Sequence, residues 1–206
     1  MITLYGNGLS RSFRALWALE EVNAKYIYHS VKFGSNEALI GTLSHEYKKL
    51  NFQGKVPTFI ENEIVITESA AILNYIAATH PLLELAPLHN RNLRAKYDEV
   101  CFFVLSDLEQ SLWTNGKHRF VLPEKYRISE VLPTTIWEFK QSLKALEDFL
   151  SDKEFIIGEN FTMADILVAH TLTWAINFHF DVPKGLPQYK KRMYERPACL
   201  RACKLV

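Results

Sequence analysis

Hydrophobic and polar positions follow two different periods along residues 1–79. The apolar runs in "MITLY" and "KYIYHSV" are typical of β-strands, and the apolar residues between them repeat at helical spacing. In "VPTFIENEIVI", polar residues 61–63 separate two apolar runs and predict a hairpin, and "ESAAILNYIAAT" then returns to the helical period. The pattern predicts βαβ followed by ββα, around a sheet with parallel and antiparallel strands.

A segment with two prolines separates this half from a helical half. Pro81 and Pro87 lie in residues 80–89, and proline suits neither a helix interior nor a central strand. Beyond this linker, apolar residues keep a helical period through 93–112 and again through 136–150. We therefore predict three regions: an α/β domain over residues 1–79, a linker over 80–89 and an all-α helical bundle over 90–206.

The stretch "FTMADI" predicts a helix start within the second half. Thr162 is expected as the N-cap, Asp165 closes a capping box, and Phe161 packs against Ile166 as a hydrophobic staple. This interpretation makes Asp165 a structural residue and not a catalytic acid.

The composition limits the classes of partner. The chain has 206 residues, of which 48% are hydrophobic, enough for a substantial core. Its 24 Lys and Arg residues nearly balance its 23 Asp and Glu residues, so a formal charge of +1 gives no overall attraction for nucleic acid or anionic lipid. The first residues lack a signal-peptide pattern, and no apolar run is long enough to span a bilayer. We expect a soluble, cytoplasmic protein with small-molecule or protein partners.

The cysteines and histidines do not indicate a cross-linked or metal-binding fold. Cys101, Cys199 and Cys203 are too few for a disulfide scaffold and fit a reducing compartment. The seven histidines show no metal-ligand spacing, and Cys199 with Cys203 offers only two ligands. We expect no metal.

The stretch "LYGNGLSRSF" is interpreted as a strand, a tight turn and a helix start, a geometry that suits an anion. Gly6 and Gly8 begin a dinucleotide-binding fingerprint, but Arg11 stands where the third glycine belongs and no carboxylate follows the second strand. "GLSRS" differs from a nucleophile elbow only at Ser12, yet that elbow needs a larger sheet than about four strands. Neither interpretation is favoured.

The order of the elements supports a third interpretation of this turn. A small βαβ-ββα domain is the thioredoxin-like arrangement, in which a C-x-x-C motif sits at this turn, whereas this chain has Ser10 and Arg11 there. A thiol pKa of about 8.5 must fall by about two units before thiolate dominates at neutral pH. The Ser10 hydroxyl and the helix N-terminus can supply that stabilisation to a thiol carried by a ligand. The alternative is that Ser10 only caps the helix.

Four motifs of the chain occur in an order and at separations shared with a known family. They are, in chain order, "SRSFRALWALEE", "GKVPTF", "TESAAILNYIA" and "FTMADI". They resemble the first helix of serine-type members, the strand entry with its cis-proline, the glutamyl-binding helix start and the capping box of the cytosolic glutathione transferase family. The resemblance covers essentially the whole chain and points to a bacterial serine-type-like member. It implies a thioredoxin-like domain followed by a helical bundle.

The resemblance implies roles for five residues in a glutathione site. Val56, which precedes the cis residue Pro57, would pair its backbone with the cysteinyl backbone of glutathione. Glu68 would bind the ligand's ammonium group, Ser69 and the first N–H groups of its helix a carboxylate, and Lys55 would lie near the ligand carboxylates. Without the family, Val56 is interpreted as a core valine, Glu68 as a first-turn acid and Lys55 as a solvated lysine.

The residue that activates the thiol is chosen among four candidates. Ser10 lies where serine-type members keep the catalytic hydroxyl, and Ser12 is its near competitor. Tyr5 lies at the end of the first strand, where tyrosine-type members keep their phenol. Asn7 can donate an amide hydrogen bond, as in some bacterial members with disulfide reductase activity. We rank Ser10 first.

The implied function is a glutathione transferase with a role in detoxification. Glutathione would be the co-substrate, a small apolar electrophile its acceptor, and a homodimer the assembly. The alternatives are a glutathione-dependent disulfide or peroxide reductase of the same fold, and a non-catalytic binding or regulatory module. Five aromatic residues of the second half can line an acceptor pocket or simply form core: Phe102, Phe103, Trp113, Trp174 and Phe178.

Overall fold

The computed structural model describes all 206 residues, and the chain divides into two compact units. The first unit joins residues 1–86 with residues 195–206, and the second unit spans residues 87–194. The predicted domain over residues 90–206 therefore differs from the structure at its C-terminal end, because the last helix of the chain packs on the first unit.

The elements up to the linker are β1 (Ile2–Gly6), α1 (Ser12–Glu21), β2 (Tyr26–Ser30), α2 (His45–Leu50), β3 (Thr58–Glu61), β4 (Ile64–Ile66) and α3 (Ser69–Thr79). The first unit contains a mixed four-stranded sheet with strand order β2-β1-β3-β4. Strand β1 pairs in parallel with β2 and antiparallel with β3, and β3 pairs antiparallel with β4. The mixed sheet and the β3–β4 hairpin agree with the sequence prediction.

Helix α2 is absent from the sequence prediction. It has only six residues, too few for a hydrophobic period to be recognised. Its local signal is Ser44, an N-cap whose hydroxyl accepts the Tyr47 backbone N–H over 3.1 Å. A buried Tyr47 ring then fixes α2 to the unit.

The last helix, α9 (Pro197–Cys203), packs against α1 within the first unit. Arg196 donates from Nε and Nη2 to the two carboxylate oxygens of Glu21, over 2.7 and 2.9 Å. Arg201 donates to the side chain and to the backbone carbonyl of Glu20, over 2.7 and 2.6 Å. With α9 packed on α1, residues 12–19 are all buried. Helix α1 therefore has a second apolar stripe, formed by Phe13, Leu16 and Trp17, beside the one formed by Ala15, Ala18 and Leu19.

The second unit is helical, as predicted. The helices are α4 (Arg91–Phe103), α5 (Glu109–Gly116), α6 (Leu132–Leu150), α7 (Met163–Asn177) and α8 (Gly185–Tyr194). Residues 93–112 keep their period through α4, a π-helical segment and α5, and the period at 136–150 falls within α6. Ile136, the first residue of that second repeat, is 54% exposed. No helix of the chain combines the length and the apolar composition that a membrane span requires.

The capping box predicted at the start of α7 is present. The Asp165 carboxylate accepts the Thr162 backbone N–H over 2.8 Å, and the Thr162 side chain is paired with the Asp165 backbone. Phe161 and Ile166, the predicted staple residues, are both buried. Asp165 therefore has a structural role at the start of α7.

Candidate functional site

Three segments that the sequence singles out converge on one edge of the first unit. Tyr5, near the end of β1, lies opposite Thr58 at the start of β3, so the turn after β1 and the loop before β3 share this edge. Arg14 of α1 donates from Nη1 to Ser69 Oγ at the start of α3 over 3.4 Å. This contact links the beginning of α3 to α1.

Two serine hydroxyls lie in the turn between β1 and α1. Ser10 Oγ and Ser12 Oγ are 2.8 Å apart, and the Ser12 backbone N–H donates to Ser10 Oγ over 3.3 Å. The Asn7 backbone N–H donates to Ser12 Oγ over 3.1 Å. Ser12 is fully buried and Ser10 is partly exposed. Of these two serines, only Ser10 has surface exposed to solvent.

The two glycines of this turn serve packing and backbone geometry. A Cβ on Gly6 would lie 2.7 Å from Ser12 Cβ and 2.8 Å from Tyr28 Cε2, so α1 and β2 approach here only because Gly6 has no side chain. Gly8 has a φ of +43°, in the left-handed region that glycine adopts most readily. These two constraints explain the G-x-G pattern without a dinucleotide.

Tyr5 and Asn7, the alternative activating residues, are both engaged with neighbouring residues. The Tyr5 ring stacks on His29 at 5.0 Å and meets Tyr47 edge-on at 5.9 Å. Asn7 Nδ2 donates to the Val31 carbonyl over 2.7 Å. These contacts favour structural roles for both side chains.

The loop before β3 contains the cis peptide bond between Val56 and Pro57. The carbonyl of Lys55 accepts hydrogen bonds from Tyr47 Oη over 2.6 Å and from Asn51 Nδ2 over 2.8 Å. The backbone N–H and C=O of Val56 form no hydrogen bond within the chain. These two backbone groups are thus unpaired beside the proline, where an added strand can pair.

Tyr47 and Asn51 hold this loop, and neither residue is identified as functional from the sequence alone. Both are buried, and both also contact the Thr58 hydroxyl. Burial raises the pKa of Tyr47, while the hydrogen bond from Thr58 lowers it. A buried tyrosine and a buried asparagine form this cluster only after α2 has packed, so neither residue carries a local signal.

The start of α3 presents the groups predicted to hold the ends of the ligand. Glu68 is the N-cap residue and its side chain is exposed, whereas Ser69 is buried and accepts its hydrogen bond from Arg14. The first backbone N–H groups of a helix have no intrahelical acceptor, so they favour an anion. Lys55 is exposed, and its Nζ donates to Gln53 Oε1 over 2.8 Å.

The aromatic candidates of the second unit have different environments. Phe102 is 69% exposed, and Phe103 packs on Phe149 with ring centroids 5.1 Å apart. Trp174 stacks on Phe178 with ring centroids 6.3 Å apart. The structure therefore does not gather these residues into one set with a single role.

The three cysteines are free thiols, and two of them are held in poorly nucleophilic states. Burial raises the pKa of Cys101 to about 12. Burial, followed by the neighbouring Cys203, also raises the pKa of Cys199. A thiol with a raised pKa carries little thiolate at neutral pH. No group of three or more His, Cys, Asp or Glu side chains is arranged to hold a metal ion.

Comparison with known proteins identifies both halves of the chain. Residues 1–78 match the family model "Glutathione S-transferase, N-terminal domain", and residues 121–197 match "Glutathione S-transferase, C-terminal domain". Glutathione S-transferase theta-1 of Rattus norvegicus is 26% identical over 194 residues, which are 91% of this chain and 79% of the rat protein. Glutathione S-transferase 1 of Schizosaccharomyces pombe is 31% identical over 160 residues, 75% of this chain and 66% of the yeast protein.

The fold agrees with these matches. A sphingomonad glutathione S-transferase was solved in complex with glutathione. It superposes on this chain with a TM-score of 0.85 at 24% identity, and the superposition covers 98% of each chain. This likeness over nearly the whole chain, the order of the two matched family models and the mixed four-stranded sheet confirm the fold class implied by the resemblance. With both of its halves matched, the chain belongs to the glutathione S-transferase family.

Proposed function

We propose that this transferase binds glutathione in the first unit, stabilises its thiolate with Ser10 and transfers the sulfur to an apolar electrophile. The observation that carries the proposal is the common edge shared by three features: the accessible Ser10 hydroxyl, the unpaired Val56 backbone and the start of α3. The sphingomonad relative, which was solved with glutathione bound, supports the choice of ligand.

Recognition of the tripeptide is proposed along this edge. The Val56 backbone N–H and C=O pair with the cysteinyl residue of glutathione, beside Pro57, like one further strand. The first N–H groups of α3 and the Ser69 hydroxyl hold the glutamyl carboxylate, and the exposed Glu68 carboxylate takes the ammonium group. Lys55 lies within the same loop and offsets the charge of the ligand carboxylates.

The chemistry proposed for Ser10 is stabilisation of an anion. The thiol proton leaves to solvent, and the Ser10 hydroxyl donates a hydrogen bond to the sulfur that remains. The thiolate then forms a carbon–sulfur bond to the electrophile, which either expels a leaving group or takes up a proton after addition. A hydrogen bond to a charged group contributes about 1.5 to 3 kcal/mol, equivalent to roughly 1 to 2 pKa units.

The experiment compares the wild-type chain with Ser10→Ala. Titration calorimetry with glutathione tests binding, and the pH dependence of kcat/KM with an activated aryl halide gives the pKa of the bound thiol. We expect Ser10→Ala to raise that pKa by roughly 1 to 2 units and to lower kcat/KM at pH 6.5 by roughly 10- to 100-fold. Asp152→Asn, an exposed change in the second unit, is the control.

Each alternative predicts a different result. No binding at millimolar glutathione would indicate a non-catalytic module. An unchanged pH profile in Ser10→Ala would exclude Ser10 as the donor. If Asn7→Ala abolished turnover of a glutathione mixed disulfide while Ser10→Ala had no effect, the chain would be a reductase.

The proposed assembly is a homodimer, as the family resemblance implies. Sedimentation equilibrium tests it, because one chain has a mass of 23.8 kDa and a dimer has twice that mass. A monomer at micromolar concentration would contradict this part of the proposal.

A further inference from the structure

The Ser10 and Ser12 hydroxyls at the start of α1 share a hydrogen bond, and the surroundings of Ser12 determine which of them is the donor. Ser10 Oγ and Ser12 Oγ are 2.8 Å apart, and either oxygen is close enough to be the donor. The two choices have different consequences for a ligand. If Ser10 donates to Ser12, its hydrogen is used inside the protein; if Ser12 donates, the Ser10 hydrogen is left over.

Burial decides between the two directions. Ser12 is fully buried, and its oxygen already accepts the Asn7 backbone N–H over 3.1 Å. Its own hydrogen needs an acceptor, and Ser10 Oγ is the only one within hydrogen-bond distance. The Tyr28 hydroxyl forms no hydrogen bond with Ser12. With Ser10 as the donor, the Ser12 hydrogen would be buried without a partner, which is unfavourable. Ser12 therefore donates.

The consequence appears at Ser10. Its oxygen accepts both the Ser12 hydroxyl and the Ser12 backbone N–H, which uses its two lone pairs. Its hydrogen is then free to bond outside the turn, and the partial exposure of Ser10 gives a ligand access to it. We infer that Ser12 is a positioning residue that donates to Ser10 Oγ and so reserves the Ser10 hydrogen for the sulfur of the bound ligand. This inference rests on the proposed function.

The chain of donors also strengthens the last bond in it. The Asn7 N–H donates to Ser12, Ser12 to Ser10, and Ser10 to sulfur, so all three bonds point the same way. Hydrogen bonds aligned in this manner polarise one another, by roughly 10 to 30% per bond. No covalent bond of the protein changes, and the thiol proton leaves to solvent. Tyr28 packs against Gly6 beside this turn, and burial raises its pKa, so it stays neutral.

The test measures the pKa of bound glutathione from the ultraviolet absorbance of its thiolate in Ser12→Ala. We expect that pKa to rise by on the order of half a unit, because Ser10 keeps its hydroxyl but loses its orienting donor. Affinity for glutathione should stay within about twofold, since the groups that hold its backbone are untouched. A purely structural role would instead weaken affinity and leave the pKa of the bound thiol unchanged.

A double variant separates this inference from the proposed function. Once Ser10 is alanine, Ser12 has no hydroxyl to orient, so Ser10→Ala/Ser12→Ala should have the same thiol pKa as Ser10→Ala alone. If the pKa shifts of the two single variants added in the double variant, the inference would be overturned. It would also be overturned if the thiol pKa were unchanged in Ser12→Ala but shifted in Ser10→Ala. If glutathione did not bind to the wild-type chain, or if Ser10→Ala had no effect, the proposed function itself would fail.

Two further variants control for loss of a buried hydroxyl and for folding. Ser111 is buried in the second unit and donates to the Leu108 carbonyl, so Ser111→Ala should leave the thiol pKa unchanged. Ser12→Cys keeps a side chain of similar shape with a weak S–H donor. It should give a smaller shift than alanine, and it supplies the measurement if Ser12→Ala does not fold. No shift in Ser12→Cys under those conditions would overturn the inference.

Discussion

Asp165 is a fully buried carboxylate of the second unit whose oxygens accept four hydrogen bonds. Oδ1 accepts the Ile156 backbone N–H over 2.8 Å and the Tyr189 hydroxyl over 2.7 Å. Oδ2 accepts the Thr162 backbone N–H and hydroxyl over 2.8 and 3.1 Å. Burial raises the pKa of Asp165, and all four hydrogen bonds oppose this effect by favouring the carboxylate. One residue thus joins the loop before α7, the start of α7, and α8.

We predict that Asp165→Asn destabilises the chain by roughly 2 to 4 kcal/mol, because the new NH₂ group faces two donors on Thr162 and hydrogen bonds to a charged acceptor are strong. The measurement is the urea unfolding midpoint at pH 7, followed by circular dichroism. Asp152→Asn is the matched control, since Asp152 is exposed. Equal midpoints for the two variants would show that the capping box is dispensable.

Only some of the hydrogen-bond partners of Asp165 can be predicted from the sequence. The three-residue spacing of Thr162 and Asp165 is local, so the capping box can be predicted. Ile156 and Tyr189 are separated from Asp165 by 9 and 24 residues in the sequence, and no sequence pattern predicts their contacts with it. The same limit applies to Ser12: its identity is visible in "GLSRS", but its burial depends on the packing of α1.

At the scale of elements, α2 determines the shape of the candidate site. Its Tyr47 donates to the Lys55 carbonyl and is paired with the Thr58 hydroxyl, so two bonds from one side chain bracket the cis-proline loop. Asn51, which follows the helix, bonds to the same two residues. Because the Val56 backbone lies inside this bracket, its position depends on α2.

We predict that Tyr47→Phe weakens glutathione binding by roughly 3- to 10-fold, or about 0.6 to 1.4 kcal/mol. Loss of the hydroxyl leaves the Lys55 carbonyl with Asn51 alone, so the loop is less well ordered before the ligand arrives. Calorimetry measures the affinity, and the pKa of the bound thiol should not change because Ser10 is untouched. Tyr75→Phe, which removes a hydroxyl bonded to Glu61 at the other end of β3, should bind normally. A normal affinity in Tyr47→Phe would contradict the bracket.

Elements with a recognisable apolar pattern are predicted better from the sequence than elements without one. Helix α6 repeats its apolar positions over 19 residues, and β1 and β2 each present a clear apolar run, so their periods can be read directly. The six residues of α2 cannot show a period, and the loop it holds was assigned through family resemblance. The three segments of the candidate site can therefore be found as motifs, while the contacts that support them cannot.

At the scale of the whole molecule, the first unit is built from two ends of the chain. Residues 195–206 return to residues 1–86, a connection that a reading along the sequence assigns to the helical half. The reason is physical: Ala198, Cys199 and Ala202 form a narrow apolar face that is buried on α9, and Arg196 and Arg201 neutralise two glutamates at the end of α1. Neither the short apolar face nor the two arginines alone predicts from the sequence that α9 packs on α1.

Deleting residues 195–206 should therefore destabilise the first unit, although most of its sequence is intact. The Glu21 side chain is only 7% exposed and would lose its bidentate partner, and the apolar face of α1 would meet water. We expect a loss on the order of 5 kcal/mol, which lowers Tm by roughly 10 to 20 °C in a chain of this size. Differential scanning calorimetry measures it, with deletion of the exposed residues 204–206 as the control. If both truncated chains melted at the wild-type temperature, α9 would not contribute to the stability of the first unit, and another element would have to bury the second apolar stripe of α1.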